Sequence, residues 1–76
     1  MEKVYYVVSK QLEDLDGFQE TNGWKDVTAY VIKDSELVKI AEIELHNEDN
    51  TETMLLEHLE EEKLIDSNKT IQVIQL

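Results

Sequence analysis

From Lys3 to Lys10 the chain packs Val4, Tyr5, Tyr6, Val7 and Val8 into one run. Extended, it puts Val4, Tyr6 and Val8 on one side and Tyr5 and Val7 on the other. Such a β-branched and aromatic stretch predicts a strand. Leu12 to Gly17 carries Glu13, Asp14 and Asp16 and predicts a turn. Asn22-Gly23 is the strongest short-range hairpin signal, because both central positions of a type I′ turn need positive φ. A two-residue loop there sets Thr21 opposite Trp24, Glu20 opposite Lys25 and Phe18 opposite Val27. The rival arrangement is an irregular surface loop from Leu12 to Gly23.

Trp24 to Lys33 reads as a strand, Asp34-Ser35 as a turn, and Glu36 to His46 as a long strand. Pairing across that turn sets Lys33 against Glu36, Ile32 against Leu37, Val31 against Val38, and Lys25 against Glu44. Opposite charges and apolar pairs share this one register.

The polar stretch His46 to Asn50 breaks the strand pattern. Asp49, Asn50 or Thr51 is placed to cap a helix, with Glu52 in its first turn. That helix is expected to run to about Lys63, with Leu55, Leu56 and Leu59 as a narrow apolar stripe and Met54 beside it. Asp66-Ser67-Asn68 predicts a turn, and the sequon Asn68-Lys69-Thr70 falls at that turn. Thr70 to Leu76 predicts the last strand, with Ile71 and Val73 on one side and Ile74 and Leu76 on the other. The expected fold is a single domain over residues 1–76, α+β in class. Its small, mostly antiparallel sheet has the order β-β-β-α-β, and one helix packs on one face.

The central hairpin in this register is apolar on both sides. Val27, Ala29, Val31, Val38 and Ile40 fall on one face, and Trp24, Tyr30, Ile32, Leu37, Ala41, Ile43 and Leu45 on the other. A three-leucine helix covers one face at most. Each exposed Val, Leu or Ile forfeits roughly 1.5–3 kcal/mol relative to burial. The second face must therefore be reduced by twist, covered by the loop bearing Phe18 and Trp24, or covered by another chain, a homodimer being the commonest case.

Composition narrows the chemistry. Eighteen acids against seven lysines, with no arginine, cysteine or proline, give a net charge of −11. This excludes a disulfide scaffold, a thiolate zinc site, a cysteine nucleophile and a cationic nucleic-acid binder. The charge is uneven: residues 1–40 hold five lysines and eight acids, and residues 41–76 hold two lysines and ten acids. Glu57 and Glu61 are spaced to repel on a helix, and Glu60-Glu61-Glu62 sits where the helix dipole disfavours anions. Local stability does not explain that placement. A solvated face that keeps the protein soluble is the plain explanation, and an anionic surface for a cationic partner is the sharper one.

His58 with Glu61 or Glu62 has chelating helical spacing, but no HExxH, calcium-loop or phosphate-loop pattern is present. No serine lies in a GxSxG context. The sequence predicts neither an enzyme nor a cofactor or metal site. The N-terminal apolar run is too short and too β-branched for a secretory signal, so a cytoplasmic home is expected. The expected function is a small acidic protein-binding module, in its narrower form a nucleic-acid mimic that occludes a basic, nucleic-acid-handling surface. Glu57, Glu60, Glu61 and Glu62 are its candidate contacts, with no direct binding of nucleic acid or membrane. The alternatives are a structural domain or homodimeric subunit without a specific ligand, and a weak divalent-ion binder.

Overall fold

The computed structural model describes residues 2–66 and 70–76. Strands β1 (Glu2–Leu15), β2 (Phe18–Lys33) and β3 (Glu36–His46) precede helix α1 (Thr51–Glu61), and strand β4 (Ile71–Gln75) follows it. The sheet order is β3-β2-β1-β4, with β4 parallel to β1 and the other pairs antiparallel. The expected α+β class and β-β-β-α-β order are observed. The turn and sequon at residues 66–70 lie largely outside the described residues.

The first hairpin turns at Asp16-Gly17, not at Asn22-Gly23. Asp16 (φ 53°) and Gly17 (φ 84°) supply the two positive φ values that a I′ turn needs. Leu15 therefore faces Phe18, Glu13 faces Glu20 and Leu12 faces Thr21. The predicted pairs Thr21–Trp24, Glu20–Lys25 and Phe18–Val27 do not form, and Leu12 to Leu15 is strand. Asn22-Gly23 still uses its preference, as an irregularity inside β2. The paired stretches end at Lys10↔Lys25 and resume at Leu12↔Thr21, so Gln11 alone stands against Asn22, Gly23 and Trp24. Gly23 has φ 89°, and the Asn22 side chain accepts from the Trp24 N–H at 3.1 Å.

Beyond residue 24, β2 gains β3 as a neighbour; before it, β1 and β2 project as a two-stranded arm. A 14-residue strand is about 46 Å long, and the molecule measures 48 × 24 × 17 Å. The radius of gyration, 14.3 Å, exceeds the roughly 11 Å of a compact chain this long. Phe18 stands at the arm's tip, 73% exposed.

The β2–β3 hairpin turns at Asp34-Ser35, and Lys33–Glu36, Ile32–Leu37 and Val31–Val38 pair as expected. Lys25 does not meet Glu44; it faces Leu45, and Asp26 faces Glu44. The cause is a bulge: Tyr30 pairs with Lys39 but Ala29 with Ala41, leaving Ile40 as the extra residue. One extra residue reverses side-chain parity. Val38 on one side of the bulge and Ala41, Ile43 and Leu45 on the other thus share the face of Val27, Ala29 and Val31. The two-sided apolar pattern of β3 is in large part a phase change within one face.

That face holds the core. Val4, Tyr6, Val27, Ala29 and Leu45 are buried under Leu55 and Leu59 of α1, with Val8, Val31, Ile40, Ala41, Ile43, Ile65, Ile71 and Val73 packed around them. The helix starts at Asn50, whose side chain accepts from Thr53 N–H at 3.0 Å. It stops at Glu61, short of Lys63, because Lys63 turns left-handed (φ 57°). Leu64 N–H then bonds Leu59 C=O and Lys63 N–H bonds Glu60 C=O, the Schellman pairing. No layer covers the opposite face among the described residues. Val7, Ile32, Leu37 and Leu76 remain exposed there, beside half-buried Tyr5, Tyr30 and Ile74.

Candidate acidic binding face

Leu55 and Leu59, both fully buried, fix which side of α1 looks outward. At 100° per residue, Glu57 lies opposite that pair, with Glu60 and Glu61 on either side of it within about 100° of arc. All three are exposed, and so is Glu62, which occupies the C-cap. The four candidate carboxylates therefore lie on and just past one helix face.

Glu57 and Glu61 also border a shallow groove of about 190 Å³ between α1 and β3, with Ile43, Glu44, Leu45, Met54 and His58 as its other walls. Glu44 lines the groove as part of the β3 wall, but its carboxylate lies on the far face of the sheet with Asp26, where it accepts from Gln11. Glu60 and Glu62 do not line the groove. His58 does, but among the described residues no three histidine, aspartate or glutamate side chains are grouped to hold a metal ion.

A polar cluster that the sequence did not reveal lies near the β2 irregularity. The Gln11 amide donates to Asp26 Oδ1 at 2.9 Å and to Glu44 Oε2 at 2.6 Å, and accepts from Asn22 Nδ2 at 3.0 Å. One amide thus bridges two acids that face each other across β2 and β3. Its one signal in the sequence is Asn22-Gly23, which locally suits a hairpin turn equally well. Trp24 stacks on His46 with ring centroids 3.9 Å apart, outside the buried cluster.

At the other end of α1, Tyr6 donates its buried hydroxyl to Glu52 Oε1 at 3.2 Å. Burial, that hydrogen bond and the Glu52 charge together push the phenol above its ordinary value of 10.0. Because the folded value is raised, the contribution to stability is complete below pH 10 and is lost above it, as the unfolded chain ionises first. Denaturant melts are therefore expected to show wild type losing stability from about pH 9 to 11 more steeply than Tyr6→Phe. At pH 7 that variant should cost about 0.5–1.5 kcal/mol. Parallel pH profiles would contradict the assignment.

A second open groove, about 490 Å³, lies at the sheet end among Glu2, Lys3, Tyr5, Val31, Ile32 and Lys33. No helix among the described residues is long and apolar enough to cross a membrane. Compared with known protein families, curated proteins and solved structures, the chain matches none of them.

Proposed function

We propose that the chain is a small acidic, non-enzymatic protein-binding module whose narrower task is to occlude a basic, nucleic-acid-handling surface of another protein. The observation that supports this is the ledge of exposed carboxylates on and just past α1: Glu57, Glu60, Glu61 and Glu62. Two buried leucines hold the helix to the sheet, so the ledge is preorganised and its backbone loses little freedom on docking. A fixed row of anionic oxygens suits a groove built for phosphates. The same sign repels nucleic acid, so the module competes with nucleic acid rather than binding it. A chain stabilised without cysteine suits a reducing compartment, and the cytoplasm is the home we propose.

The test is retention on the immobilised chain. Nucleic-acid-binding proteins from the source lysate should be held at about 0.1 M salt and released by about 1 M salt or by excess duplex DNA. Replacing Glu57, Glu60, Glu61 and Glu62 together by glutamine should weaken binding about tenfold or more, which is about 1.4 kcal/mol spread over four rim charges. That variant should melt no lower than wild type, since it removes the Glu57–Glu61 repulsion and three anions near the helix C-terminus. Retention indifferent to both salt and the four glutamines would sink the proposal.

A further inference from the structure

We propose that two copies of the chain pair edge to edge through β4, antiparallel about Val73, into one continuous eight-stranded sheet. The inference is independent of the acidic ledge and its partner. It starts from β3 and β4, the two edge strands of the sheet among the described residues, which differ sharply. β3 carries Glu36, Lys39, Glu42 and Glu44, an ion pair between Lys39 and Glu42 at 3.2 Å, and the bulge at Ile40. Charges and bulges are the devices that keep a strand edge from pairing. From Thr70 to Leu76 there is no charged side chain, no proline, no glycine and no positive φ.

Electrostatics select the same edge. Copies carrying −11 repel one another, so any self-contact must avoid the acids. Helix α1 makes its main sheet contacts with β2 and β3, two and three strands in from the β4 edge. At about 4.8 Å per strand, β4-to-β4 pairing leaves the two acidic helices about 30 Å apart, well beyond a Debye length of about 8 Å.

Backbone direction fixes the register. Thr70 C=O accepts from Glu2 N–H at 3.2 Å and Leu76 N–H donates to Tyr6 C=O at 2.9 Å, so the even-numbered residues address β1. Ile71, Val73 and Gln75 then aim N–H and C=O at the open edge. Antiparallel pairing centred on Val73 joins Val73 to its own copy and each Ile71 to the opposite Gln75, three pairs sharing about six hydrogen bonds. Both uncovered faces fall on one side of the joined sheet, so Ile74 and Leu76 meet the Gln72 and Thr70 side chains of the other copy. The guarded β3 edges end the sheet at two copies instead of propagating it.

Sedimentation over a concentration series should show a monomer–dimer equilibrium that tightens as salt rises, the opposite of the salt response expected for docking to a basic partner. Gln75→Pro removes an outward N–H that the monomer does not use and should weaken the dimer about tenfold or more. Because the chain has no cysteine, Val73→Cys gives a single thiol. In the paired register its Cα lies about 5.5 Å from its copy, within disulfide range. It should cross-link much faster than Glu36→Cys on the opposite edge. A monomer at every concentration and salt, a dimer unaffected by Gln75→Pro, or equal cross-linking of the two thiols would each overturn the proposal.

Discussion

Leu59→Ala is expected to lower the unfolding free energy by about 3 kcal/mol, within the 2–5 kcal/mol typical of a buried leucine. Leu55 and Leu59 are both fully buried and are the two helix side chains in the core cluster. Val27, Ala29 and Leu45 share their buried cluster with these two leucines, and Ile65 packs against it from beyond the helix. A chain of this length has about 4–11 kcal/mol of stability in total, so one truncated leucine removes a large share. The melting temperature should fall by about 12–24 °C, since one kcal/mol corresponds to about 4–8 °C in a domain this small. Leu64→Ala is the control, because Leu64 lies just past the helix and is 47% exposed. It should cost under about 1 kcal/mol. Equal losses from the two variants would mean that α1 does not close the core.

The strands were legible because β-branched and aromatic residues concentrate in them and the turns carry Asp, Asn, Ser and Gly. What the sequence concealed was which positive-φ signal became the turn. Asp16-Gly17 and Asn22-Gly23 both satisfy the requirement locally. The choice is made by β1, whose pairs from Tyr5↔Tyr30 to Lys10↔Lys25 fix the register before the arm begins. That information is tertiary, and no window around Asn22 contains it.

The bulge in β3 had a trace that alternation counting overlooked. Apolar positions run 38, 40 and then 41, 43, 45, so the phase changes between Ile40 and Ala41. Taken as a flat strand, this resembles two greasy faces; with one extra residue it is mostly one. The surplus shrinks without vanishing, because Val7, Ile32, Leu37 and Leu76 are still exposed on the other side. At the candidate site, helical spacing alone placed Glu57, Glu60 and Glu61 together.

Lys25 carries the second large effect. It is 6% exposed and sits on the core face of β2, opposite Leu45 on one side and Lys10 on the other. Its ammonium donates to the carbonyls of Asp49 at 2.7 Å and Asn47 at 3.3 Å. Those carbonyls belong to the loop that delivers Asn50 to the helix start, so one cation ties β2 to the N-terminus of α1. Lys25→Met keeps most of the aliphatic stem but leaves two loop carbonyls without their donor, at a cost of about 2–3 kcal/mol. Lys25→Ala also removes the stem and should cost more, so thermal melts are expected to rank wild type above Met and Met above Ala. The opposite outcome has a clear physical meaning. If Lys25→Met is as stable as wild type, desolvation of the ammonium cancels its two bonds, as happens for many buried charges. The loop would then be held by its own contacts, Asn47 N–H to Gly23 C=O at 2.9 Å and His46 N–H to Asp49 Oδ2 at 3.1 Å. Loss of stability together with lower helix content in the Met variant would instead show that Lys25 holds the helix, and with it the acidic ledge, in place.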